Sequence, residues 1–207
     1  AFTGQFNYQN TFNKYHNVSA MFIANGYQQT VSAQYHRISN ANLALQAGYN
    51  YQQRYYADFS AALIHSAKLA KGHRQALSPS VTLGWRLSNE SFLKDSPVVD
   101  DLLLSVSGSI INQDIDLVMN DNEFYLYESV WTQNDGYAWY DGPAGKYSIS
   151  TRSQNNDLSF IKRKEFSVNL KTSLWNRLIT ADASFFINSM EGYLINQPTF
   201  YPSHLNT

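Results

Sequence analysis

The residues best equipped for binding chemistry gather in one long polar stretch, 113–164. Trp131, Tyr137, Trp139 and Tyr140 lie close together there, with Phe124, Tyr125, Tyr127, Tyr147 and Phe160 around them. Flat aromatic faces with a hydroxyl or indole N–H at one edge suit a ligand such as a sugar or a peptide. The same rings would equally serve as the stretch's own small core or as a contact for a partner. Asp114, Asp116, Asn120, Asp121, Asn122 and Glu123 offer closely spaced oxygen ligands, which is calcium chemistry. Their spacing does not fit an EF-hand loop, and acidic loops are usually just solvated, so no metal is expected. His16, His36, His65, His73 and His204 show no metal-ligand spacing and read as loop or strand-end residues. No Gly-rich phosphate loop, nucleophile elbow or Cys/His pair is present. These residues point to binding without catalysis, and to no cofactor.

The elements that must position them are strands. Residues of alternating polarity recur over 2–12, 15–26, 41–51, 54–64, 79–88, 101–112, 165–175 and 177–189. In 79–88, Val81, Leu83, Trp85 and Leu87 fall on one face, and Ser80, Thr82, Gly84, Arg86 and Ser88 on the other. No helix-period segment of useful length competes. Connections alternate in kind. Asn13-Lys14, Gln52-Gln53 and Asn176 are tight turns, whereas 27–40, 65–75, 113–164 and everything after Met190 are long polar crossings. The 89–98 connection falls on the tight-turn side but is longer than its peers and has helical character.

Composition sets outer bounds. The chain has 207 residues, a formal net charge of −1, 15% charged and 15% aromatic residues, and no cysteine. Near-neutral charge argues against nucleic acid, and the lack of cysteine excludes disulfides and thiolate metal sites. No apolar run reaches the roughly 18 residues of a transmembrane helix, which leaves barrel strands open. The sequence opens within a strand-period run and reads as a piece of something larger.

Alternation alone fits either a membrane barrel or a soluble β-sandwich, since both bury one face. Three features favour the barrel. The apolar faces carry no charge. Aromatics crowd the tight-turn ends, with Tyr49, Tyr51, Tyr55, Trp85 and Trp175 placed as a membrane-interface girdle. The strands run about ten to twelve residues, the length of a tilted membrane strand. In a barrel the charges Asp58, Arg86, Lys171 and Asp182 face the lumen, where they pair across strands, touch an internal domain or line a path.

Three runs carry a family resemblance. They are Arg54-Tyr55-Tyr56-Ala57-Asp58-Phe59-Ser60, Ala70-Lys71-Gly72-His73-Arg74, and Ser78-Pro79-Ser80-Val81-Thr82-Leu83-Gly84-Trp85-Arg86-Leu87-Ser88-Asn89-Glu90-Ser91-Phe92-Leu93. Leu102-Leu103-Leu104-Ser105-Val106-Ser107-Gly108, Asn112-Gln113-Asp114-Ile115 and the late hairpin through Leu174-Trp175-Asn176-Arg177-Leu178 complete the set. Together they resemble the SusC/RagA family of TonB-dependent outer-membrane transporters. The chain departs from the family at Ala62–Ala67, at Leu77-Ser78 and at Leu158–Ile161. The resemblance implies an all-β fold, a transmembrane antiparallel up-and-down β-barrel of which residues 1–207 supply about eight strands. It implies a long extracellular loop at 113–164 and no plug domain within this chain. It further implies outer-membrane lipid around the barrel, and a plug and remaining strands elsewhere in the same protein. A TonB complex reached through an N-terminal region and a SusD-like lipoprotein lid complete the implied partners, with an oligosaccharide or peptide cargo in a Bacteroidetes-type bacterium. The rival expectation is a soluble or surface-attached β-sandwich that binds glycans.

Overall fold

The computed structural model of the chain describes residues 1–31, 36–114, 127–135 and 145–193. Ten strands occur in it: β1 (Phe2–Phe12), β2 (His16–Val31), β3 (His36–Tyr51), β4 (Tyr55–His65), β5 (Gln75–Arg86), β6 (Val99–Gln113), β7 (Val130–Asp135), β8 (Lys146–Arg152), β9 (Ile161–Leu174) and β10 (Ile179–Glu191). Eight form a single antiparallel sheet in the order β1-β2-β3-β4-β5-β6-β9-β10. All eight sequence-based strands are present. The remaining two, β7 and β8, pair as a separate hairpin inside the 113–164 stretch, which reads as loop from its sequence.

One expectation needs correcting. The 27–40 segment is not a free polar crossing, because β2 and β3 stay paired up to Val31 opposite His36. Backbone pairing continues there after the apolar alternation has stopped, since the ladder needs only N–H and C=O groups. At the opposite end, two turns take both central residues through positive φ, Asn13 (47°) and Lys14 (62°), then Gln52 (53°) and Gln53 (55°). The left-handed pair in each sits in a three-residue connection, between Phe12 and His16 and between Tyr51 and Tyr55. They close through Tyr15 N–H to Phe12 O at 3.2 Å and Arg54 N–H to Tyr51 O at 2.9 Å. The β5–β6 connection is a short 3₁₀ turn, Leu87–Asn89, followed by further turns.

The register stacks side chains of like character into rows. Phe59 pairs with Ala47 and Val81, Val81 with Gly108, Gly108 with Phe166, and Phe166 with Ile187. The next outward row joins Ala57, Leu83, Val106, Val168 and Phe185. One face is therefore apolar across the whole sheet. The other carries Ser19, Gly48, Asp58, Thr82, Ser107 and Ser167 in a single row.

Among the described residues, nothing packs on the apolar face. The buried hydrophobic residues are Leu69, Ala70, Phe160 and Ile161, all at the long-connection end, whereas Phe59, Leu83 and Phe185 are 41%, 57% and 61% exposed. A sandwich would set a second sheet about 10 Å away over this face. Among the described residues there is none. An exposed apolar surface of this continuity marks a membrane or partner contact.

Candidate functional site

The turn end of the apolar face carries a row of rings. Register pairing aligns His16, Tyr51, Tyr55 and Trp85 on four successive strands. Their centroids lie 4.9 Å apart for His16–Tyr51, 6.5 Å for Tyr51–Tyr55 and 6.5 Å for Tyr55–Trp85, the last two stacked. Tyr49 joins through a 2.8 Å hydrogen bond between its hydroxyl and His16 Nδ1. Four of the five ring residues singled out in the sequence are thus brought together. Trp175 stands apart in the β9–β10 turn at φ 53°, its N–H donating to Val98 O at 2.9 Å.

Glu90 ties this row to the turns below it. Its Oε1 accepts from the Tyr55 hydroxyl at 2.8 Å and from the Trp85 indole N–H at 3.1 Å, and its Oε2 lies 3.6 Å from Arg54. Alongside, Asn89 Nδ2 donates to Gln53 O at 2.9 Å, and Arg86 N–H to Arg54 O at 2.7 Å. The β5–β6 connection is thereby fastened to the β3–β4 turn. The Trp85 indole, then the Tyr55 hydroxyl and the Arg54 charge, hold the Glu90 carboxyl below its ordinary 4.5 against an opposing effect of partial burial. A carboxyl depressed on folding contributes stability above its unfolded pKa and loses it as pH falls through the lower folded value. Indole fluorescence should therefore change on acidification below about pH 4.5 and stay constant from there to neutrality. Glu90→Gln should abolish that acid step. A step that survives in the variant would show that another group is titrating.

The four charges expected on the polar face do share it. Asp58 sits between Gly48 and Thr82, while Lys171 and Asp182 are register partners on β9 and β10. Arg86 Nε lies 3.3 Å from Asp101 Oδ1, and its guanidinium stands 5.3 Å above the Tyr56 ring. Ser88 Oγ donates to the same Asp101 oxygen at 2.9 Å. Gly48 is what lets Ser19 and Asp58 close in from either side. A Cβ there would fall 2.6 Å from Ser19 Oγ and 2.8 Å from Asp58 Oδ1. The wall is otherwise lined by small hydroxyls, including a 2.6 Å contact between Ser107 and Ser167.

At the long-connection end the sequence-based reading misses two features. Asn112 is buried and replaces the β5–β6 ladder, whose register ends at Ser80–Ser109 beside Pro79. Its Nδ2 donates to Leu77 O at 2.8 Å and Ser78 Oγ at 3.2 Å, and its N–H donates to Ser78 Oγ at 3.0 Å. A small core of Leu69 and Phe160, flanked by Ile64, Ala76 and Leu158, fastens the β4–β5 connection to the segment entering β9. Phe160 is therefore packing, not ligand surface. Ser66 Oγ donates to Asp114 Oδ2 at 2.5 Å. Arg74 donates to Leu69 O at 2.8 Å and to the Tyr127 hydroxyl at 3.1 Å.

Of the proposed ligand-binding aromatics, Trp131 lies on β7, 65% exposed, with its indole N–H on Ser129 Oγ at 3.3 Å. Tyr137, Trp139 and Tyr140 lie outside the described residues, as does the acidic run beyond Asp114. Among the described residues no group of three or more His, Cys, Asp or Glu side chains is placed to hold a metal.

Known proteins give this arrangement a context. No protein-family model matches the chain. It is 27% identical over 147 residues to the TonB-dependent receptor SusC of Bacteroides thetaiotaomicron, covering 70% of this chain and 14% of that protein. It is 22% identical over 206 residues to the TonB-dependent receptor P39 of Formosa agariphila, covering 93% of this chain and 19% of that one. The chain thus spans less than a fifth of the length of these curated relatives. Solved structures of the RagAB peptide importer in closed-closed and open-open states superpose with TM-scores of 0.78 and 0.76, at 17% and 18% identity, over 99% of this chain and 24% of theirs. The likeness to those structures is one of fold.

Proposed function

We propose that this chain, SusC/RagA-like in sequence and fold, is an eight-strand portion of the transmembrane barrel of a TonB-dependent outer-membrane importer. One observation carries the reading: a single antiparallel layer with a broad apolar face that no described residue covers. On β5 that face runs from Leu77 to Trp85, on β4 from Tyr55 to Leu63 and on β9 from Phe166 to Leu174. Eight residue steps make about 26 Å along each strand. A barrel tilt of about 40° reduces this to about 20 Å, close to the roughly 25 Å apolar band of outer-membrane barrels. The ring row at the turn end then lies at the periplasmic interface, with Trp175 in the same girdle. Asp58, Arg86, Lys171 and Asp182 face the lumen, against water or a plug.

In the whole protein, the plug and remaining strands complete the barrel, TonB supplies energy from the periplasmic side, and a SusD-like lipoprotein covers the outer mouth. Cargo is an oligosaccharide or a peptide, and Trp131, Tyr137, Trp139 and Tyr140 contact it from the 113–164 loop. The chain does no covalent chemistry in this scheme. Deleting residues 121–146 from the full-length receptor tests the loop's part. Losing these four aromatic contacts, at about 0.5 kcal/mol each, should weaken cargo capture about 30-fold, with insertion into the outer membrane unchanged. Uptake at the wild-type rate would remove the loop from the cargo path.

A further inference from the structure

At the long-connection end of the apolar face, the greasy stretch of β9 stops at Phe166, and the next two side chains on that face are Lys164 and Lys162. They line a recess of about 460 Å³ together with Leu77, Ile110, His73 and Asn112. That volume is ordinary for a small-molecule site. Its lower edge, Leu77 and Ile110, is continuous with the apolar face, and its upper part is polar and basic. Lys164 Nζ holds Glu191 at 2.7 Å, and Glu191 stands opposite Lys162 in the register. Among the described residues that line it, one carboxylate offsets two lysines and leaves the recess net positive. Asn112, only 8% exposed, lines the same recess and has a buried Oδ1 with no hydrogen-bond partner among the described residues.

We propose that this recess seats the phosphorylated headgroup of a lipid in the outer leaflet. Lysine ammonium groups bind phosphate as point charges, and long basic side chains at the edge of a membrane band reach naturally for headgroups. The apolar lower edge selects a lipid over a free anion, because acyl chains can continue down over Leu77 and Ile110, from which inorganic phosphate gains nothing. The site rests on the barrel reading above, and it adds a specific lipid contact to it.

The test uses the full-length receptor in phosphatidylcholine nanodiscs doped with phosphatidic acid, read by native mass spectrometry. The wild type should retain a phosphatidic acid adduct. The double variant Lys162→Gln/Lys164→Gln should lose it at least tenfold, Lys94→Gln at the turn end should keep it, and Glu191→Gln should raise it. Equal retention in wild type and double variant overturns the proposal, as does displacement of the adduct by inorganic phosphate. If the receptor does not insert into nanodiscs at all, it is the barrel reading that fails.

Discussion

Val81→Arg should lower the unfolding free energy of the receptor in lipid vesicles by about 2–4 kcal/mol, the cost of an arginine near the middle of a lipid-facing barrel strand. Val81 lies midway along the apolar run of β5, between Phe59 and Gly108 in the register, and is 45% exposed. No acidic side chain adjoins it on that face, so the guanidinium would meet hydrocarbon. Thr82→Lys moves the same charge one residue along and onto the other face, opposite Asp58. There the ammonium gains a carboxylate neighbour and water, and the change should stay below about 1 kcal/mol. Urea titrations of both variants decide it. Similar losses in both would mean that the two faces do not differ in environment.

The second large effect is expected at Asn112. Asn112→Ala should cost about 1–2 kcal/mol, because it leaves Leu77 O without its donor in a partly buried place, while Ser78 Oγ keeps the Asn112 backbone N–H. Asn112→Asp should be no milder, since a carboxylate would then face the Leu77 carbonyl oxygen. The Asn112 N–H bond to Ser78 survives both changes, so the cost belongs to the side chain. Urea unfolding monitored at equilibrium measures it. A loss under about 0.5 kcal/mol would show that the β5–β6 join is held by other contacts.

How far the sequence reveals this structure follows from what periodicity encodes. Alternation reports a difference between faces, so it marks strands wherever one face is apolar, and it places Val81, Phe59 and Phe166 on one side without any coordinates. It is silent where both faces are wet. That is why the upper β2–β3 hairpin, through Gln28-Gln29-Thr30, and the β7–β8 hairpin read as loops. The ring row was legible from the crowding of Tyr51, Tyr55 and Trp85 near tight turns, but the inclusion of His16 depends on register, which no short-range signal gives. Glu90 and Asn112 belong to the runs that carry the family resemblance. Their partners lie 35 residues away, at Tyr55 and Leu77, and such side-chain links leave no periodic trace. The positions where the chain departs from the family have a physical account too. Ser66 and Phe160 are both buried in the fastening of the long connections, one on Asp114 and the other on Leu69.

The central claim, that one face of this sheet meets lipid and the other water, is tested most directly by single cysteines along β5. The chain has no cysteine of its own, so each introduced thiol reports its own position. In intact outer membranes carrying the full-length receptor, a water-soluble maleimide should label Ser80→Cys, Thr82→Cys and Gly84→Cys. It should leave Val81→Cys and Leu83→Cys unlabelled until detergent is added. Uniform labelling of all five positions before detergent, or the opposite alternation, would contradict the account.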